Sequence, residues 1–273
     1  MITRRAALGG LGAMWASRSL ALAPPITVAG ALTQGGWARG IVPPGARLTL
    51  DGAPVPVVDG QFLIAFDRDA GPQATLAATL PDGTSLSHPL SIAPRAWRIE
   101  PVNTPLRPPA VPDEAYTKIR SAEVERINAA RAIGAQAQGW RQTFQWPVKG
   151  RLSGLFGSQR VYQGVSGAYH SGTDMAVPAG TPYAAPADGV VVLAADHPFT
   201  LEGNLLMLDH GMGLISAFLH SSALLVKQGD RVSQGQPIGR VGMTGRATGP
   251  HLHWGMRWRE ARLDPMLFVD ARA

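Results

Sequence analysis

Residues 190–218, VVVLAADHPFTLEGNLLMLDHGMGLISAF, hold three short apolar runs: Val190-Val191-Val192-Leu193, Leu205-Leu206-Met207-Leu208 and Leu214-Ile215-Ser216-Ala217-Phe218. Each is strand-sized, and turn-forming residues such as Gly203-Asn204 and Asp209-His210-Gly211 separate them. They read as successive strands of one β-rich unit, which Trp146-Pro147-Val148-Lys149-Gly150 opens and which we place at residues 146–273. The whole chain fits that reading. Its 32 glycines and 23 prolines follow no repeating period, which favours short strands joined by turns over long helices. At 273 residues, 45% of them hydrophobic and 16% charged, the chain can bury the cores of two modest domains, and a mainly β fold is expected.

Upstream, residues 26–99 repeat the pattern. Runs such as Arg47-Leu48-Thr49-Leu50 and Gln61-Phe62-Leu63-Ile64-Ala65-Phe66 are punctuated by Asp51-Gly52, Asp59-Gly60 and Asp82-Gly83. A small β-sandwich domain over residues 24–100 is expected, holding one histidine, His88, and no clustered chemistry; a structural or docking role follows. Five prolines break residues 101–112, and residues 113–134 then become rich in Ala, Glu and Arg, with Ile119, Val124, Ile127 and Ile133 at roughly helical spacing. Residues 101–145 thus read as a proline-rich linker and helix, with Asp113 capping its start and Gly134 its stop. Such a connection is stiffer than a Gly/Ser tether.

The first residues, Met1-Ile2-Thr3-Arg4-Arg5, precede an Ala/Gly/Leu-rich stretch and small residues through Ala23, the layout of an export signal over residues 1–23. Thr3-Arg4-Arg5 also reads as a twin-arginine address, although Ala7 and Arg18 depart from that pattern. The expectation is an exported bacterial protein of the periplasm or cell envelope. No other segment is long and apolar enough to span a bilayer, so no transmembrane span is expected in the mature chain. The net charge of +6 suits an acidic polymer, yet the Lys and Arg residues are scattered and no nucleic-acid-binding pattern is present, so nucleic acid is not expected as a partner. Zero cysteines exclude disulfides, thiol catalysis and cysteine-ligated metals, leaving His and carboxylate as the available ligands.

Six of the seven histidines lie in the C-terminal half. In His251-Leu252-His253 a strand would place both imidazoles on one face, about 7 Å apart along the chain, with Leu252 on the other. Upstream, His170-Ser171-Gly172-Thr173-Asp174 pairs a histidine with a carboxylate. His170, Asp174 and one histidine of the pair would meet the three-ligand count of a catalytic zinc site. His220 closes the run Ala217-Phe218-Leu219-His220. Taken singly, each pattern is more often structural than catalytic.

Their order is specific. His170-x-x-x-Asp174, Pro178-Ala179-Gly180-Thr181-Pro182, Ala187-Asp188-Gly189-Val190-Val191, Asp209-His210-Gly211, His220, Gly235-Gln236-Pro237-Ile238-Gly239 and Thr248-Gly249-Pro250-His251-Leu252-His253 follow one another in a pattern that resembles the lysostaphin/LytM family, across residues 146–270. The resemblance implies a two-sheet β fold with an open groove, one Zn²⁺ per chain held by His170, Asp174 and His253, and His251 and His220 as catalytic histidines. It implies peptidoglycan as substrate, with other cell-wall enzymes as partners, and hydrolysis of amide bonds in stem peptides or cross-links by zinc-bound water with histidine acid–base help. His-Glu-x-x-His is absent, so no Glu-base helix is expected. Phe218 stands where many relatives have tyrosine and Ser221 where leucine commonly follows the histidine. His210 is expected to be structural or to support a ligand, Trp254 and Trp258 to pack in the core, and Gly180, Gly189, Gly211, Gly229, Gly235, Gly239 and Gly245 to serve turns. The alternative is a non-catalytic module of the same fold that binds and activates a cell-wall amidase. A zinc carboxypeptidase would want a glutamate base near the last histidines, and Glu260 lies outside any matching motif.

Overall fold

The computed structural model describes residues 26–105 and 113–270. The export signal expected over residues 1–23, and residues 106–112 of the proline-rich run, lie outside the described residues. In the N-terminal part the strands are β1 (Thr27–Gly30), β2 (Trp37–Ile41), β3 (Arg47–Leu50), β4 (Ala53–Val55), β5 (Gln61–Ala65), β6 (Gln73–Thr79), β7 (Ser85–Ser91) and β8 (Ile99–Val102). Asp51 and Gly52 both take positive φ, 49° and 81°, the backbone of a two-residue hairpin turn, and they join β3 to β4. A three-stranded sheet β1-β2-β5 and a four-stranded sheet β4-β3-β6-β7 result. Phe62, Leu63, Ile64 and Leu76 are fully buried within these strands.

One helix follows, α1 (Glu114–Arg131). Asp113 caps it by accepting from the Ala115 N–H at 2.6 Å, and Gly134 takes φ 63° beyond its end. The C-terminal part then contributes β9 (Arg151–Gly154), β10 (Gln159–Tyr162), β11 (Val165–Tyr169), β12 (Gly172–Ala176), β13 (Pro182–Ala184), β14 (Gly189–Ala194), β15 (Asn204–Asp209) and β16 (Leu214–Ser221). It ends with β17 (Ala223–Leu224), β18 (Arg231–Val232), β19 (Pro237–Arg240), β20 (Leu252–Trp258) and β21 (Ala261–Leu263). The main sheet runs β18-β14-β15-β16-β20-β12-β9, with β21 on β20, and a smaller sheet is β13-β19-β17. The protein is mainly β. The third sheet here, β11-β10-β8, takes its edge strand from before the helix: β8 pairs in parallel with β10, Ile99 opposite Gln159.

The apolar runs of β14, β15 and β16 are continuous because the main sheet is covered on both faces. Val192, Leu205, Met207 and Ile215 pack beneath α1 against Ile127 and Ala130, whereas Val191, Leu206, Leu208 and Phe218 face the principal core. Of the four apolar residues at helical spacing, only Ile127 is buried; Ile119, Val124 and Ile133 remain about half or more than a third exposed, and Ile133 lies past the helix end. The docked stripe is Glu123, Ile127 and Ala130, because Glu123 is satisfied on arrival: its carboxylate accepts from the Thr200 N–H and hydroxyl, both at 2.6 Å, and from Arg120 at 3.0 Å.

The N-terminal sheets are packed directly on the C-terminal part. One apolar core runs from Phe62 and Leu76 through Phe144 and Phe268 to Trp254. Trp37 stacks on Phe268 with ring centroids 4.6 Å apart, and its indole N–H donates to the Leu267 carbonyl at 2.9 Å. Arg95 pairs with the buried Asp264 at 2.8 Å, and Arg68 donates to the Gly157 carbonyl at 3.0 and 3.2 Å. Among the described residues, no helix is long and apolar enough to cross a membrane.

Candidate metal centre and active site

β12 and β20 are antiparallel neighbours with Asp174 directly opposite His253. Their side chains therefore share one face. His170, just before β12, turns its ring into the same space, because its Nδ1 hydrogen-bonds the Leu155 carbonyl at 3.2 Å and its Nε2 is left pointing inward. Three donor atoms converge: His170 Nε2 lies 3.1 Å from Asp174 Oδ1, His253 Nδ1 lies 2.8 Å from the same oxygen, and the two nitrogens are 3.1 Å apart. Ligand atoms on a tetrahedral zinc stand about 3.3 Å apart for bonds of about 2.0–2.1 Å, so the triangle needs only a slight expansion to fit the ion. Among the described residues this trio is the cluster able to hold a metal.

Two glycines make the room. A Cβ on Gly154 would come 2.4 Å from Asp174 Oδ2 and 3.0 Å from His170 Cε1. A Cβ on Gly172 would come 2.6 Å from His253 Nε2 and 2.5 Å from the Trp254 carbonyl. Neither glycine takes positive φ, so both are required by close approach, not by turn geometry. The sequence gives no signal for Gly154. Gly239, expected in a turn, is likewise a strand residue pressed on Tyr183.

The electrostatics follow from burial and pairing. Burial works against the Asp174 charge, but hydrogen bonds from His170 and His253 outweigh it and hold the carboxyl far below the usual carboxylate range. Burial likewise disfavours charge on His170, yet the bond to Asp174 wins and raises its pKa. In His253 burial dominates and lowers the pKa.

The remaining two predicted residues sit against this trio. His220, at the end of β16, has its ring centroid 4.9 Å from that of His251 and 6.3 Å from that of His253. His251 Nε2 is 3.8 Å from Asp174 Oδ1. Each ring is oriented by a backbone carbonyl: His220 Nδ1 bonds Thr244 O and His251 Nδ1 bonds Gly249 O, both at 2.8 Å. With Nδ1–H donated, each Nε2 keeps a free lone pair. His220 holds φ 66°, a costly backbone for a non-glycine residue, and its N–H donates to Glu202 O at 2.8 Å while its own carbonyl accepts from Thr244 N at 3.3 Å. Burial lowers the His220 pKa.

All of the histidines and the aspartate singled out from sequence for metal or catalysis therefore come together. His210 does not join them. It is fully buried below the sheet, where its Nδ1 bonds Asp188 O and its Nε2 bonds the Ser216 hydroxyl, each at 2.8 Å, and burial pushes its pKa down to about 4. Trp254 and Trp258 are core residues, as expected. The departures at Phe218 and Ser221 meet on one partner: Phe218 stacks on buried Tyr183 at 5.4 Å, and Ser221 Oγ hydrogen-bonds the Tyr183 hydroxyl at 2.7 Å.

A main antiparallel sheet carrying a His–Asp–His trio with two oriented histidines beside it has the architecture of a mononuclear metallopeptidase site. The family model that matches, across residues 168–265, is peptidase family M23. A crystal structure assigned to peptidase M23 from Pseudomonas aeruginosa superposes on 88% of this chain and 96% of its own, with a TM-score of 0.68 and 30% identity. The chain belongs to peptidase family M23. Peptidoglycan DD-endopeptidase ShyA of Vibrio cholerae is 45% identical over 118 residues, covering 42% of this chain and 27% of that protein. Cell division protein DipM of Caulobacter vibrioides is 34% identical over 127 residues, 46% of this chain and 20% of its own. The matches thus span about a quarter of the length of these curated relatives.

Proposed function

We propose that the chain is a zinc-dependent endopeptidase that hydrolyses amide bonds in peptidoglycan stem peptides or cross-links. The observation that carries this reading is the convergence of His170 Nε2, Asp174 Oδ1 and His253 Nδ1, with the Nε2 atoms of His251 and His220 left free beside them. His170, Asp174 and His253 would hold one Zn²⁺, which when bound acts as a Lewis acid on the scissile carbonyl and acidifies water. His251 and His220 do the proton work. A neutral Nε2 accepts a proton from the attacking water, and the resulting imidazolium returns one to the departing amine. The Thr244 and Gly249 carbonyls fix both rings in the tautomer that this needs. Similarity to a protein named peptidoglycan DD-endopeptidase supports the substrate class. We further propose export of the chain by its first 23 residues to the periplasm or envelope, and units at residues 24–100, 101–145 and 146–273.

The test separates metal from catalysis within the histidine pair. His253→Ala is expected to lose zinc and activity together. His251→Ala is expected to keep zinc and lose about 10²–10⁴-fold in hydrolysis of cell-wall sacculi, read by mass spectrometry of released peptides on the same preparation used for metal analysis. Equal metal loss in both variants overturns the division of roles. Zinc binding by the parent without any hydrolysis would instead assign a module that activates a separate amidase.

A further inference from the structure

A cavity of about 280 Å³ opens from His253 along the same face of the main sheet, walled on one side by α1. Ala217, Ile215 and Met207 lie along its floor with Gly255, and Gly255 carries no side chain to obstruct an extended peptide running along β20. Residues two apart on a strand share a face, so His253, Gly255 and Arg257 lie in one row, and Arg257 stands about 13 Å from His253 along the strand. The cavity lining holds four arginines, Arg120, Arg131, Arg257 and Arg262, against one carboxylate, Glu202.

The charges do not cancel. Arg120 is consumed by Glu202 at 2.6 and 2.8 Å and by Glu123 at 3.0 Å. Arg131 bonds a neutral group, the Asn128 amide oxygen, at 3.1 Å. Arg262 stacks over Tyr169 at 5.5 Å, and its backbone N–H, not its guanidinium, donates to Asp67 at 2.8 Å. Arg257 is the inner member, its side chain 15% exposed; its Nε donates to the Arg259 carbonyl and its Nη2 pairs with Glu260, whose side chain is 96% exposed and well solvated, which leaves the Nη1 edge of the guanidinium for a ligand. A partly enclosed floor with surplus guanidinium suits a planar anion that can take paired N–H donors.

We propose that Arg257, with Arg131 and Arg262 at the rim, forms an anion subsite for a carboxylate of the peptide whose amide bond lies at the His170–Asp174–His253 trio. The chain then selects peptides that carry a free carboxylate a few residues from the scissile bond over their amidated counterparts. The inference rests on the peptidase reading above. The carboxylate has two sources, the terminal α-carboxyl and an acidic side chain, and peptides amidated at one or the other tell them apart.

The experiment uses the full chain loaded with zinc and a set of soluble stem peptides: free acid, C-terminal amide, and side-chain amide. In the parent, amidation at the recognised carboxylate is expected to lower kcat/KM by about tenfold, a preference that shrinks as ionic strength rises. In Arg257→Gln that ratio should fall to about one, whereas Arg257→Lys, which keeps the charge but not the paired donors, should retain part of it. Because the ratio is taken within each variant, a general loss of activity does not distort it. Equal turnover of acid and amide by the parent, or an unchanged ratio in both Arg257→Gln and Arg131→Gln, overturns the subsite. If the parent hydrolyses none of the peptides, the peptidase reading fails, and equilibrium binding of the same peptides to the same chain still decides: amidation should weaken binding about tenfold in the parent and not in Arg257→Gln.

Discussion

At the scale of single residues, the site depends as much on absent atoms as on ligands. Gly154 sits across from Asp174 in the β9–β12 pairing, and the space a methyl group would need is filled by the carboxylate and the His170 ring. Those neighbours are side-chain atoms, so Gly154→Ala need not break the strand pairing; it must displace the ligands. The expected outcome is a loss of zinc affinity of about 10–100-fold, the scale of losing support around a metal ligand, with far-UV circular dichroism unchanged. Competition against a chromophoric chelator measures it, and parent-like affinity would show that the ligands can yield. His251 and His253 were legible in sequence as a pair because imidazoles two apart on a strand share a face, and His170 and Asp174 through the order of the motifs. Gly154 was not, because its role comes from a strand twenty residues downstream.

At the scale of elements, α1 shows how a helical period can be right without naming the buried face. Periodicity selects apolar residues, and Ile119, Val124 and Ile133 satisfied it. Docking selected instead the stripe through Glu123, since the Thr200 N–H and hydroxyl offer donors to its carboxylate, which Arg120 of the same helix also pairs. Glu123→Ala removes the acceptor and leaves the half-buried Thr200 N–H and hydroxyl without it, a cost of about 1–3 kcal/mol. Because that cost falls on docking of the helix, amide hydrogen exchange across residues 114–131 should quicken by about tenfold or more while zinc content stays at the parent level. Exchange that quickens equally in β14 to β16 would show that α1 is integral to the sheet. The same helix walls the cavity beside His253, so its docking also shapes access to the site.

At the scale of the whole molecule, the sequence predicts a small β-sandwich joined by a connection stiffer than a Gly/Ser tether, and leaves the arrangement of the two parts open. The structure packs the N-terminal sheets on the C-terminal part through a continuous core and through Trp37 on Phe268. A shared core couples the two parts thermodynamically. The full chain should therefore unfold in one denaturant transition, with probes in each part superimposing. Trp37→Ala should shift the whole transition by roughly 2–4 kcal/mol, the lower range for truncating a large aromatic side chain because Trp37 is only partly buried. Two separated transitions would show that the parts fold independently. Arg68 extends the contact toward the site, lying 4.7 Å over the ring of Tyr169, the residue that precedes His170.

The sequence by itself determined the mainly β class, the helix with its Asp113 cap, and the histidines and aspartate of the site. Those features are written in local periodicity, turn chemistry and motif order, which need no distant partner to be read. Only the tertiary structure decided which apolar residues of α1 are buried, that β8 joins β10, that Gly154 makes room for Asp174, and that Arg257 faces the cavity opening from His253. Each of these is a relation between segments far apart in the chain. Packing, charge balance and steric fit exist only once both partners are in place.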